Sequence, residues 1–156
     1  MEIAQLTIIL DLDGVLITTP PWKPDQMDSD GYSLFNKSCV ENLNKLLDHV
    51  DAELWLSSTR RTVKTLSEFN QIFKHRGING SIKGFLPEYE NCFSRKEEVL
   101  KFIEEHKCKN YLIIDDDKSL DDLDDSIKQR LIRTELLNGF RDVELQRALN
   151  IIESWT

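Results

Sequence analysis

Two acidic clusters carry most of the chemistry that this 156-residue sequence offers. The first is Asp11-Leu12-Asp13-Gly14-Val15, placed directly after the apolar run Thr7-Ile8-Ile9-Leu10. In an extended backbone residues two apart point the same way, so Asp11 and Asp13 share one side while Leu12 packs on the other. Two carboxylates so placed repel each other unless a cation or strong donors offset them, and oxygen ligands without thiolate or imidazole select Mg²⁺. A solvated acidic turn is the plain alternative. A calcium loop of the EF-hand type does not fit, because it needs glycine at its sixth position and Gly14 comes fourth.

The second cluster, Asp115-Asp116-Asp117, follows another apolar run, Tyr111-Leu112-Ile113-Ile114. Parallel connectivity would set it beside Asp11 and Asp13. Asp121, Asp122, Asp124 and Asp125 follow, however, and a charge run of this kind is usually a solvated face. Ser57 stands where a strand should end; its hydroxyl suits a phosphate oxygen, or simply caps the next helix. Lys96, with Arg95 beside it, opens a later helix, where a cation opposes the helix dipole and so calls for a reason beyond surface chance.

The elements that must position these groups are legible as a pattern. The run at 7–10 shows no alternation, which suits a strand covered on both faces at the centre of a parallel sheet. Val40, Leu43, Leu46, Leu47 and Val50 recur at helical spacing, and Ala52 to Leu56 reads as a second strand. Val63, Leu66, Phe69, Ile72 and Phe73 predict a helix closed by Gly77, and Ser94-Arg95-Lys96-Glu97 has capping-box form before a helix through Glu105. A short strand within Ile127 to Thr134 and a closing helix over Val143 to Ile152 complete the pattern. Residues 18–32 hold three prolines and no apolar period, which predicts a flexible loop near the site, longer than ordinary connections. The fold expected is α/β, a three-layer doubly wound (Rossmann-like) and mostly parallel sheet with ligands beyond the carboxyl ends of the strands.

A strand then DLDGV, a strand then Ser, a basic residue at a helix start, and a strand then DDD resemble the four ordered motifs of the haloacid dehalogenase-like (HAD) superfamily. The resemblance spans nearly the whole chain. Leu56-Ser57-Ser58-Thr59-Arg60, Arg95-Lys96-Glu97-Glu98-Val99 and Leu137-Asn138-Gly139-Phe140 further resemble the small HAD domains associated with RNA-repair proteins, which lack a separate cap domain. The resemblance implies Asp11 as nucleophile, forming an aspartyl-phosphate, and Asp13 as general acid and base. It implies Mg²⁺ held by Asp11, Asp13, Asp115 and Asp116, with Asp13 contributing its backbone carbonyl. Ser57 and Lys96 would hold phosphate oxygens. Ser58 replaces Ser57 if the strand ends one residue later, and the closer RNA-repair match aligns Arg95 rather than Lys96. A receiver domain shares the architecture but places its acidic pair and lysine in a different order.

Composition bounds the rest. The length fits one domain over 1–156, with no insertion long enough for a cap. The formal charge of −8 argues against a protein that coats a duplex, so a nucleic-acid partner would be held locally. Between residues 60 and 84 six cations (Arg60, Arg61, Lys64, Lys74, Arg76, Lys83) face one acid, Glu68, a local excess of five that suits either a polyanion or a solvated helix face. Trp22 could stack on a base or pin its loop. Cys39, Cys92 and Cys108 lack zinc-site spacing and fit a reduced, cytoplasmic setting. The early apolar run is too short for a signal peptide or membrane span. His49, His75 and His106 fall near helix ends and receive no role. The expectation is a phosphatase acting on a phosphorylated substrate, a nucleotide or polynucleotide end included, with no obligate protein partner. Its alternative is a non-catalytic metal- or phosphate-binding regulatory module, or a partner in RNA repair.

Overall fold

The computed structural model describes residues 5–155. Strands β1 (Leu6–Leu10), β2 (Ala52–Leu56), β3 (Ile82–Phe85), β4 (Tyr111–Asp115) and β5 (Leu131–Arg133) form one sheet in the order β3-β2-β1-β4-β5. Every pairing is parallel, and β1 lies at the centre. The intervening helices are α1 (Lys37–His49), α2 (Leu66–His75), α3 (Arg95–His106), the short α4 (Asp125–Lys128) and α5 (Asp142–Glu153).

Strand residues alternate between two cores, as the two-residue period of a strand requires. Leu6, Ile8 and Leu10 of β1, with Leu112 and Ile114 of β4, pack against α1, α2 and α5. Ile9, Tyr111 and Ile113 face the other way, onto Val99 and Phe102 of α3. Both faces being covered explains why β1 and β4 read as unbroken apolar runs. Full burial of each such side chain stabilises the fold by about 1.5–3 kcal/mol. The architecture is therefore the expected three-layer α/β sheet, without a cap among the described residues.

Two local features differ from expectation. Val63 lies outside α2 and is exposed; a 3₁₀ turn at Thr59–Thr62 comes first, and α2 starts after Thr65, which forms a capping box with Glu68. Strand β3 has no counterpart in the sequence reading, because its four residues IKGF contain a glycine and an exposed lysine. The short strand expected within Ile127 to Thr134 is present as the three-residue β5, preceded by the end of α4.

The loop between Ile17 and α1 has no regular structure beyond an isolated bridge between Met27 and Ser33. Its acids hold it in place. Arg76, at the end of α2, reaches Asp30 at 2.6 Å and Asp28 at 3.4 Å, and donates to the carbonyls of Tyr32 and Ser33. No helix among the described residues is long and apolar enough to cross a membrane.

Candidate active site

Register places the site. Leu10 of β1 pairs with Leu56 of β2 and with Ile114 of β4, so Ser57, Asp11 and Asp115 form a row across the carboxyl edge of the sheet. By the same alternation that sends Ile9 and Ile113 toward α3, this row faces α3, whose first residue is Arg95. The row straddles the point where strand order reverses between β1 and β4, the usual ligand crevice of open α/β sheets.

Arg95 is buried and its Nη1 donates to Asp115 Oδ2 at 2.5 Å, lies 3.6 Å from Asp11 Oδ1, and stands 3.5 Å from Ser57 Oγ. The basic residue brought into the site is thus Arg95. Lys96 faces elsewhere: its backbone N–H donates to Ser119 Oγ, and its ammonium forms no ion pair among the described residues. Ser57 and Ser58 are both fully buried, but only Ser57 meets Arg95. Ser58 Oγ instead accepts from Arg60 N and caps the 3₁₀ turn.

Asp11, Asp115 and Asp116 bring one carboxylate oxygen each to within 4.8 Å of one another. Asp11 Oδ1 accepts the Leu12 N–H at 2.8 Å, and Asp115 Oδ1 accepts the Asp117 N–H at 3.0 Å. Burial, reinforced by the neighbouring Asp115, pushes the Asp11 carboxyl well above the usual range, although Arg95 pulls the other way. Asp116 is raised for the same two reasons. Three carboxylates against one guanidinium leave a formal charge of −2 when all are ionised, and the donors are oxygens alone. That set fits a hard divalent cation such as Mg²⁺.

Gly14 is fitted to this cluster. Its φ is +80°, and a Cβ there would lie 2.2 Å from Asp116 Oδ2, so any side chain would displace the carboxylate. Asp117, by contrast, is structural: it caps the next 3₁₀ turn by accepting from Ser119 N and Oγ. Asp121 pairs with Arg133 on the surface. The plain reading of the acidic run therefore applies to these two residues.

The Asp13 carboxylate does not join the cluster. After Leu12 the chain turns, with the N–H groups of Val15, Leu16 and Ile17 all donating to Leu12 O, so the extended geometry that would align Asp13 with Asp11 ends there. The Asp13 carboxylate is gripped by Arg60, with Nε to Oδ2 at 2.7 Å and Nη2 to Oδ1 at 2.9 Å. Arg60 also donates to Asp25 Oδ2, Ser33 Oγ and Tyr32 Oη, tying the proline-rich loop to the site. Hydrogen bonds from Ser33 and Arg60 hold the Asp25 carboxyl below its ordinary range.

Several of these residues escaped the sequence reading. Arg61 is buried, donates to the carbonyls of Ser57, Ser58 and Leu86, and pairs with Glu98, which in turn reaches Arg95 at 3.8 Å. Arg60, Arg61 and Arg76 thus account for half of the six cations between residues 60 and 84, and each is spent on internal acids. The three histidines are the last residues of α1, α2 and α3.

Comparison with known families agrees with the geometry. The sequence profile of the family described as the HAD domain in Swiss Army Knife RNA repair proteins matches residues 7–145. That span begins in β1 and ends within α5, and so includes every residue of the site. No curated protein matches the sequence significantly.

Proposed function

The chain belongs to the family of HAD domains found in Swiss Army Knife RNA repair proteins, and we propose that it is a Mg²⁺-dependent phosphomonoesterase working through an aspartyl-phosphate on Asp11. The observation that carries this reading is the row of Ser57, Asp11 and Asp115 at the sheet edge, with Arg95 reaching all three.

Asp11, Asp115 and Asp116 would hold the ion, which supplies charge neutralisation between the carboxylates and an incoming phosphate. One Asp11 oxygen is fixed by Leu12 N–H, leaving the other to attack phosphorus. The phosphorus–oxygen bond to the leaving group breaks as the aspartyl-phosphate forms, and Asp13 gives its proton to the departing oxygen. Asp13 then takes a proton from the water that attacks phosphorus, releasing inorganic phosphate and restoring Asp11. Arg95 and Ser57 hold equatorial phosphate oxygens, where preorganised donors are worth most because phosphoryl transfer depends chiefly on positioning and electrostatics. Arg60 positions Asp13 by holding both its oxygens, and one of them must be freed before Asp13 carries the proton it donates.

The substrate we propose is a phosphorylated nucleotide or polynucleotide end. The family's association with RNA repair supports it, as does the lack of a cap, which leaves room at the site for a phosphate on a large molecule. A reduced, cytoplasmic setting suits three free cysteines. One observation favours a second reading, a non-catalytic metal- or phosphate-binding module or RNA-repair partner: both oxygens of the Asp13 carboxylate are committed to Arg60.

Phosphate release from an aryl phosphate, nucleoside monophosphates, and 3′- and 5′-phosphorylated oligonucleotides, each with Mg²⁺ or EDTA, separates the two. Mg²⁺-dependent release supports the enzyme, and the preferred substrate identifies its class. No release from any of them, with Mg²⁺ still raising Tm, supports the binding module.

A further inference from the structure

A second cavity among the described residues lies away from the acidic cluster. It holds about 790 Å³ and lies between the proline-rich loop and the first turn of α1, a volume in the range of small-molecule sites. Its walls include Pro24, Leu34 and Phe35, and its polar groups include Gln26, Lys23 and Lys37. None of the residues lining it is acidic, although the chain carries 28 acids against 20 cations.

The way the loop distributes its charges explains this. Asp25 turns to Arg60, and Asp28 and Asp30 turn to His75 and Arg76, so every loop acid is neutralised on the α2 side. Lys23 and Lys37 make no ion pair among the described residues and face the cavity unneutralised. A cavity with two cations, apolar walls that include the Phe35 ring, and an amide suits an anion carried on a flat ring. It also opens from the segment that leaves the carboxyl end of β1, the same segment that Asp11 begins.

We propose that this cavity is a second binding site, taking a nucleotide unit with its phosphate on Lys23 and Lys37 and its base against Phe35 and Leu34. The proposal deepens the reading of the chain as a nucleotide or polynucleotide phosphatase, since a nucleotide seated here would extend a substrate whose terminal phosphate lies at Asp11. The exposed Trp22, next to Lys23, would add a stacking surface at the cavity's rim.

Binding can be measured apart from turnover. A single-stranded oligonucleotide without a terminal phosphate, labelled with a fluorophore, is titrated into wild type and into a Lys23→Gln/Lys37→Gln double variant across a range of salt. The wild type should bind, and the double variant about tenfold more weakly, with its log–log salt slope reduced by about 0.7 for the one phosphate no longer neutralised. Hydrolysis of a compact aryl phosphate should be unchanged, which shows that the variant is folded. Competition by nucleoside monophosphate identifies a free nucleotide as occupant, and competition by oligonucleotide alone identifies a strand. Equal binding by the two proteins, or no binding by wild type, overturns the proposal. Absence of phosphatase activity in both proteins, with the binding difference intact, removes the catalytic reading and leaves this site standing.

Discussion

Arg60 grips both oxygens of the Asp13 carboxylate, at 2.7 and 2.9 Å, while the same guanidinium reaches Asp25 at 2.8 Å. One side chain therefore sets the orientation of the proposed acid and base and fastens the loop above it. Arg60→Ala should lower kcat by about 10²-fold, the lower part of the range for general acid–base catalysis. Arg60→Lys should recover only part of that loss, because an ammonium keeps the charge but not the fork. Steady-state kinetics supply the check, with amide exchange over residues 25–33 expected to rise in both variants. An unchanged kcat in Arg60→Ala would separate Asp13 from the chemistry.

Arg95 and Lys96 are neighbours with different fates. Removing the Arg95 guanidinium leaves Asp115 buried and unpaired, which typically costs about 3–5 kcal/mol. Arg95→Met should therefore lower the urea midpoint of the metal-free protein sharply and abolish phosphate release. Lys96→Ala should change stability by less than about 0.5 kcal/mol and leave kcat within a few-fold of wild type. A Lys96→Ala variant as damaged as Arg95→Met would reverse the assignment.

The raised Asp11 carboxyl gives a pH dependence with a definite sign. The folded protein holds this proton more tightly than the unfolded chain does, so stability in EDTA should fall as pH rises from the ordinary carboxylate value, about 3.9, toward the raised one. The slope for one such group cannot exceed about 1.4 kcal/mol per pH unit. Asp25, Asp28 and Asp30 are lowered and act in the opposite sense only at pH values below that window. Urea titrations in EDTA from pH 4 to 7 should show the fall in wild type and a flatter profile in Asp11→Asn, which should be the more stable of the two at pH 7. Saturating Mg²⁺ should remove the fall. Parallel profiles for the two proteins in EDTA would contradict the placement of Asp11 in a cluster short of positive charge.

Much of the framework was legible because burial on both faces leaves a strong trace. β1 and β4 are unbroken apolar runs ended by acids, so the central position of β1 and the meeting of Asp11 with Asp115 and Asp116 followed from parallel topology. Strand β3 left no such trace, since Gly84 and Lys83 interrupt its four residues at the sheet's edge. The choice between Ser57 and Ser58, and between Arg95 and Lys96, turned on one residue of register and one step around a helix. Only the observed pairing of Leu10 with Leu56, and the contacts of Arg95, place these groups. Arg60, Arg61 and Arg76 looked in sequence like a basic surface. Their partners, Asp13, Glu98 and Asp30, are 47, 37 and 46 residues away along the chain, a separation that no local pattern reports.

The most direct test of the central claim is to trap the intermediate. Wild type and Asp11→Asn would be mixed with a phosphorylated oligonucleotide and Mg²⁺, quenched in acid within one turnover, reduced with borohydride and digested for mass spectrometry. An acyl phosphate on Asp11 predicts homoserine at position 11 in wild type alone, absent when EDTA replaces Mg²⁺. Rapid Mg²⁺-dependent phosphate release by Asp11→Asn, or homoserine found at another aspartate in wild type, would contradict the account.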